Sequence, residues 1–463
     1  MENLTQNKYR IEADLIGTLK IAEEVYWGIH TERARNNFQL SPYKVNPLLI
    51  KSFALVKKAC ALTNWELGYL PEKKARAIVQ ACDEIVEGKF MDQFPVDALQ
   101  GGAGTSLNMN VNEVIANRAI EILGGKKGEY SIVHPIDDVN LHQSTNDTFP
   151  TALKIACIYR LRDLSQAIAK LQGAFQKKEK EFANIIKIGR TELQEAVPIT
   201  LGAEFSAFAE AIARDRWRTF KCEERLRVVN IGGTAVGTGL TAPKDYIFLV
   251  IEKLREVTGL GIARGENLMG ETANADPFVE VSGILKAHAS NLAKICNDLR
   301  LLNLFQEIKL PSLQSGSSIM PAKVNPVMAE AGIQIALKVM ANDFLITECT
   351  SRGTFQICEF LPLLAHAILE SLDLLVNINL SLADYIKNIK ANEKTCKEYA
   401  EKSLTLVTAF LPLIGYKKAE ELVKKFLQSK ETNFKNFLKK ELGEELVENV
   451  INPYKLTALG YKP

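Results

Sequence analysis

The chain holds few of the residues on which stapled or metal-built domains depend. Among 463 residues there are eight cysteines and five histidines. The cysteines, Cys60, Cys157 and Cys296 among them, are scattered through apolar, helix-patterned sequence, and no C-x-x-C pair occurs. That pattern argues against a disulfide framework and a zinc cluster, and for buried thiols in the reducing cytoplasm. Net charge is lacking too. Lysine and arginine number 57 against 55 acidic residues, a balance of +2, so no strongly charged partner such as nucleic acid is implied. Met1 to Gln6 hold no apolar core of a secretion signal. No run of 18 apolar residues exists, and no membrane span is expected. What remains is a long chain, 47% hydrophobic, able to bury a large core in several domains.

Against that background Ser315-Gly316-Ser317-Ser318-Ile319-Met320-Pro321-Ala322-Lys323-Val324-Asn325-Pro326 stands out. Gly316, Pro321 and Pro326 forbid a continuous helix, while helix-patterned sequence lies on both sides. The stretch is predicted to be a loop between rigid helices, where chemistry tends to sit. Its two adjacent hydroxyls, Ser317 and Ser318, its ammonium, Lys323, and its amide, Asn325, suit a carboxylate and the negative charge that builds on it.

Residues 1 to about 45 read as polar and irregular, punctuated by Gly17, Gly28, Pro42 and Pro47. Residues 48–90 read as two helices, with Leu49, Phe53, Val56 and Cys60 on one face and Pro71 opening the second. Gly101-Gly102-Ala103-Gly104-Thr105-Ser106 lacks the G-K-[ST] ending of a phosphate loop. It reads as a tight turn before a helix at about 106–123, able to bring backbone and Thr105 near a small anion. Ser144, Thr145 and Asn146 precede a long helical pattern and suit an N-cap, and such an end also presents N–H groups to an anion.

From about 150 the pattern is almost entirely helical. Leu161, Leu164, Ile168, Leu171 and Phe175 make a heptad-like seam. Leu201 to Ile212 and Ile284 to Leu302 continue it. Helices apolar on several sides want several partners, which a bundle packed on other bundles supplies. His288 and His366 fall within these patterns and read as core or interface histidines, not metal ligands. The helix after Pro326 is interrupted near Arg352-Gly353. Gly232 to Gly239 is glycine-rich but has no strand–turn–helix setting for a dinucleotide. From about 398 lysine alternates with glutamate and leucine, the mark of a solvated helix face.

Five stretches resemble, in order, the motifs of the aspartase/fumarase superfamily, lyases that form fumarate from a substituted succinate. They are Gly101–Ser106 with Asn108-Met109-Asn110-Val111-Asn112-Glu113, the string Gln143-Ser144-Thr145-Asn146-Asp147, Gly189-Arg190-Thr191-Glu192 through Pro198, the Gly232–Gly239 loop, and the Ser315–Pro326 loop. Arg10 to Gly17, Gly28 to Thr31 and Asn452 to Thr457 are similar to its terminal strings. The resemblance implies an all-α fold: a three-domain subunit with a central long-helix bundle, divided at 1–143, 144–397 and 398–463, packed as a homotetramer whose sites draw on three subunits. It implies a small dicarboxylate substrate and no cofactor or metal.

Removing a proton beside a carboxylate creates a dianionic aci-carboxylate, which needs a nearby base and strong electrostatic stabilisation. By the resemblance Ser317 is the base. Ser318, Thr105, Ser144 and Thr145 hold the carboxylate that receives the charge, and Lys323, Asn325 and Thr191 hold the other. Asn146 and Glu192 surround the leaving group, with Glu330 in support. Met320 to Lys323, with alanine, and Gln143 to Asn146, with threonine, are similar to members that eliminate ammonia from L-aspartate. Gly232 to Val236 and Asp147 to Pro150 are closer to members that hydrate fumarate. Deamination of aspartate is the expectation. The alternatives are fumarate hydration, elimination from another amino-substituted succinate, and an inactive structural relative. The chain departs from the family at four places. Glu192 replaces a usual His or Gln, Ile136 and Asp138 replace Asn and His, Thr241 replaces Asn, and the segment between Leu302 and Leu310 is short.

Overall fold

The computed structural model describes residues 8–460; the stretch Met1 to Gln6 lies outside them. Helices dominate, as the periodicity predicts. The first structure is nevertheless an antiparallel hairpin, β1 (Tyr9–Asp14) with β2 (Gly17–Ala22), where the sequence reads as irregular. Its turn is set by Asp14, whose carboxylate accepts the N–H groups of Ile16 and Gly17 at 2.9 and 3.1 Å. Arg33 grips the same carboxylate at 2.7 and 2.8 Å. A tie of that range leaves no local pattern to read.

Helix α1 (Ile29–Asn37) follows, then α2 (Pro47–Glu66), α3 (Glu72–Val86) and α4 (Thr105–Ile122). Any helix start leaves backbone N–H groups without internal partners. At α1 two carboxylates take them. Glu12 accepts from Ile29 at 2.9 Å. Glu113, on α4, accepts from Gly28, His30 and Thr31 at 2.8, 2.8 and 3.1 Å. Gly28 is required, because a Cβ there would lie 2.6 Å from both the Glu12 carboxylate and the Tyr130 hydroxyl.

The long helices are α5 (Thr145–Glu181) and α6 (Leu201–Leu226), then, after the short α7 (Lys244–Thr258) and α8 (Leu268–Ala273), α9 (Asp276–Leu304), α10 (Val327–Ser351) and α11 (Leu361–Lys387). The break between the last two falls at Arg352-Gly353, as read from the sequence. Among the described helices only α11 is long and apolar enough to cross a membrane by composition, and 67% of that apolar window is buried inside the protein, as in a core helix.

Contacts group the chain into two compact units. One contains residues 1–163, 219–286 and 338–374; the other contains 164–218, 287–337 and 375–463. In the first, α2 and α3 pack on α4 and α7 around Phe53, Ile78, Val111 and Ile115, all fully buried. His366 is stacked on Tyr43 with ring centres 4.5 Å apart. In the second, Phe175 and Phe182 of α5 meet Phe205 and Phe208 of α6 edge to face. His288, 1% exposed, bonds Asp215 through Nδ1 at 2.9 Å and Asn379 through Nε2 at 2.8 Å, joining α9 to α6 and α11. Both histidines are packing residues. The C-terminal segment encloses its own apolar cluster from Leu406 to Ile451, and its lysines pair with glutamates, as Lys425 does with Glu441.

The glutamate that starts α1 yields a test. In Glu113→Gln one oxygen becomes an NH₂ group facing N–H donors. We expect a loss of about 1–3 kcal/mol of stability, read as a lowered melting temperature, with Glu113→Asp also destabilised because the shorter carboxylate cannot span the three donors.

Candidate active site

In the first unit the polar strings fall at two helix starts. Three consecutive left-handed residues, Gly102, Ala103 and Gly104, with φ of 77°, 53° and 91°, turn the chain into α4. Gly104 is forced to be glycine, since a Cβ would lie 2.2 Å from the Phe149 ring. The turn leaves Thr105 exposed as the first helical residue, its hydroxyl donating to the Gly102 carbonyl at 2.8 Å. At α5, Ser144 and Asp147 form a reciprocal cap. The Ser144 hydroxyl accepts the Asn146 N–H at 3.2 Å, and the Asp147 carboxylate accepts the Ser144 N–H at 3.0 Å. The N-cap expected of this string is therefore present. Among the described residues no hydrogen bond leaves the Ser106 or Thr145 N–H, so each start keeps a backbone donor.

The two starts are joined. The Asn108 amide, one turn into α4, donates to the Thr145 hydroxyl at 3.1 Å and to the Asn140 carbonyl oxygen at 3.2 Å. Asn140 also accepts from Lys57 at 2.8 Å, and Lys57 reaches Gln143 at 2.9 Å. Lys57 is fully buried, and burial pushes its pKa down to about 8. Asp147 is buried beside it and accepts from Thr234 and Gly232 at 2.9 and 3.2 Å. Burial pushes the Asp147 pKa up to about 7, against the pull of those N–H groups and of Lys57. Sequence reasoning missed Lys57, Asn108, Asn140 and Asp147 as a set. The available signal was polar residues recurring on faces that helical periodicity otherwise makes apolar.

Asp138, at a departure from the family, is tied to Lys74 at 2.7 Å and accepts the His134 N–H at 2.7 Å.

In the second unit Thr191 and Glu192 sit on a hairpin that the helical reading did not include, β3 (Ile186–Thr191) with β4 (Gln194–Thr200). Glu192 and Leu193 form its two-residue tip with φ of 51° and 63°, a backbone that favours glycine or asparagine. A side chain at such a tip projects outward, and Glu192 is exposed with no ion pair among the described residues. The hairpin's base is fixed by Arg190, whose guanidinium meets both oxygens of fully buried Glu307 at 2.9 Å. Lys187 reaches the same carboxylate at 2.9 Å.

The Ser315–Pro326 stretch is a loop, as predicted, and it is folded on itself. Gly316 N–H donates to the Lys323 carbonyl at 2.8 Å, and the Asn325 amide donates to the Gly316 carbonyl at 2.9 Å. Within it the Ser317 hydroxyl oxygen receives two backbone donors, Met320 N–H at 3.0 Å and Ile319 N–H at 3.2 Å. Ser318, Ile319, Met320 and Lys323 are exposed, and Glu330 lies half-buried in the first turn of α10. The loop thus brings Ser317, Lys323 and Asn325 into one fold. Among the described residues no hydrogen bond links Thr191 or Glu192 to it.

The chain as a whole is similar to known proteins. A family described as lyases matches residues 17–341. An aspartate ammonia-lyase from a Bacillus species is 45% identical, over 97% of this chain and 98% of its own. The crystal structure of a fumarate lyase:delta crystallin from Brucella melitensis, bound to cobalt, superposes with a TM-score of 0.93 at 43% identity, covering 97% of this chain and 100% of that one. A class II fumarase from Schistosoma mansoni gives a TM-score of 0.90 at 31% identity, over 96% and 98%. The chain belongs to this lyase family, the aspartase/fumarase superfamily. Its place within that family lies with the ammonia-lyase branch, at 43–45% identity to several aspartate ammonia-lyases.

Gly316 gives a test of the loop that is independent of substrate identity. A Cβ there would lie 2.7 Å from the Lys323 carbonyl and 3.0 Å from the Asn325 nitrogen. Gly316→Ala is expected to pry the loop open and cut kcat/KM on the order of 100-fold, with the circular dichroism spectrum and melting temperature of the parent.

Proposed function

We propose that the chain catalyses the reversible removal of ammonia from L-aspartate to give fumarate. The observation that carries this reading is the pair of N–H groups aimed at the Ser317 hydroxyl. A serine is a weak base unless its alkoxide is stabilised. Two backbone donors at 3.0 and 3.2 Å stabilise an oxyanion in place, without reorganisation. Ser317 removes the proton beside one carboxylate. The charge that develops is met by Ser318, Thr105, Ser144 and Thr145, the last three at helix starts whose dipoles favour an anion. Lys323, Asn325 and Thr191 hold the second carboxylate. Asn146 and Glu192 face the amine, and Glu330 backs Glu192.

We further propose a homotetramer in which these groups meet across three subunits. The apolar side chains left on the helices support it. Leu337 and Phe344 of α10 are 59% and 67% exposed, and Phe248 is 52% exposed. Faces of that kind want partners. A cytoplasmic location and the three-domain division at 143 and 397 belong to the same proposal.

Glu192 favours the amine over a hydroxyl. Beside Glu330 it would place two carboxyls together, which cannot both ionise cheaply in a closed site. Protonated, Glu192 resembles a glutamine; ionised, it attracts an ammonium. Departing hydroxide needs a proton donor, whereas an ammonium group takes the carbon–nitrogen bond pair with it and leaves as neutral ammonia without one.

Four measurements test this. Purified protein with L-aspartate should raise the ultraviolet absorbance of fumarate; turnover of malate alone would replace the proposal with hydration. Ser317→Ala should lose about 10²–10⁴-fold in kcat while keeping its oligomeric state by light scattering. Mixing it with inactive Thr191→Val under subunit exchange should restore part of the activity; no recovery rejects the shared site. Glu192→Gln should keep most of the aspartate activity and Glu192→Leu should lose about 10–100-fold in kcat/KM. Parental turnover by the leucine variant would remove this carboxyl from amine recognition.

A further inference from the structure

The glycine-rich loop after α6 is conspicuous in the sequence, yet the reaction scheme above gives it no role. It meets the side chain of Asn146 directly. The Ala235 carbonyl accepts a hydrogen bond from Asn146 Nδ2 at 2.7 Å. Only the amino end of an amide can face a carbonyl oxygen, so this contact fixes which way the Asn146 side chain points. The Asn146 backbone is held as well. Its carbonyl accepts from Asn230 at 2.9 Å, and its N–H donates to Ser144. The Asn146 Oδ1 has no donor among the described residues. It is the side chain's acceptor, and it is left for a ligand.

We infer that the loop Asn230–Thr241 is part of the amine subsite: the Ala235 carbonyl orients Asn146 so that its Oδ1 acts as an acceptor for the nitrogen of the substrate. The inference rests on the proposal that an amine leaves beside Asn146. It goes beyond that proposal by assigning the orientation of Asn146 to a positioning loop.

The loop is built to hold that carbonyl still. Asn230, 1% exposed, donates to Thr272 at 2.9 Å as well as to Asn146. The N–H groups of Gly232 and Thr234 end on buried Asp147. The Thr234 hydroxyl donates to the Leu240 carbonyl at 2.7 Å, closing the loop on itself. Gly237 packs so tightly that a Cβ would lie 2.3 Å from the Met269 backbone. An ammonium is all donors, and ammonia returning to fumarate points its lone pair at carbon and its N–H groups outward. Both need acceptors around the nitrogen. With Nδ2 turned to the Ala235 carbonyl, Asn146 presents Oδ1, its acceptor, to the nitrogen.

Asn146→Asp separates this from simple charge attraction. A carboxylate beside the amine should improve binding if charge alone matters. Here it has no N–H for the Ala235 carbonyl, and the two oxygens repel, so the side chain swings out of place. Asp suits the second position of a helix, and the fold should be kept. In the direction of fumarate plus ammonia, the KM for ammonia should rise at least about tenfold, with the KM for fumarate within about twofold of the parent. An unchanged or lower ammonia KM overturns the inference. Thr234→Ala, which opens the loop closure away from the substrate, should also raise the ammonia KM selectively, and Thr234→Ser should restore it. An alanine variant indistinguishable from the parent, or one that shifts both KM values together, likewise overturns it. A parent that does not consume fumarate with ammonia at all rejects the ammonia-lyase proposal itself, and this inference with it.

Discussion

A backbone N–H at the start of a helix has to find an acceptor, and much of this protein is arranged around how that requirement is met. At α1 it is met entirely from within: Glu12 and Glu113 take the donors, and the helix start is closed to anything else. At α4 and α5 it is met in part. Gln100 takes the Leu107 N–H, and the Ser144–Asp147 cap serves α5. What is left over at those two starts lies beside Thr105, Ser144 and Thr145. The same electrostatics that locks one helix into the fold therefore leaves two others able to receive a carboxylate. In the second unit the Ser317 hydroxyl plays the acceptor for two loop N–H groups, which is the same solution at the scale of one side chain.

Burying the supporting charges is costly, and the protein accepts that cost in pairs. Lys57 and Asp147 lie behind the α5 start with shifts in opposite senses, each pushed toward its neutral form by burial and pulled back by the other. Lys187 and Arg190 hold Glu307 below the 192–193 tip, and Lys187 also meets Glu204. Removing one member of such a set strands the others without water or partner. These residues touch no proposed substrate atom, yet they hold the elements that do.

The sequence is most legible where its grammar is local. Gly316, Pro321 and Pro326 mark the loop, and the three- and four-residue steps from Leu161 to Phe175 mark the long helix. The triad Ser144, Thr145 and Asn146 was readable as a cap, and it is one. What stayed hidden is non-local. The hairpin at residues 9–22 depends on Arg33, and its strands are too short to set a period of their own. The hairpin carrying Thr191 is likewise short, and its tip uses Glu192 and Leu193 where a sequence reader looks for Asn-Gly. Glu113 lies 85 residues from the Gly28 N–H that it accepts. The pairing of Glu192 with Glu330, and the meeting of Thr105, Thr191 and Ser317, belong to the proposed assembly, which one chain's pattern does not contain.

The eight scattered cysteines have a practical meaning. Each is free and buried, and burial raises every thiol, to about 12 for Cys60, Cys222, Cys296 and Cys396. At neutral pH a thiol of that kind is ionised on the order of one part in 10⁵. None of them is a natural target for oxidants or alkylating probes in the intact protein. Labelling would then follow the opening of the helices that enclose them, which makes these cysteines a built-in set of reporters for unfolding, one helix at a time, from Cys60 on α2 to Cys396 after α11.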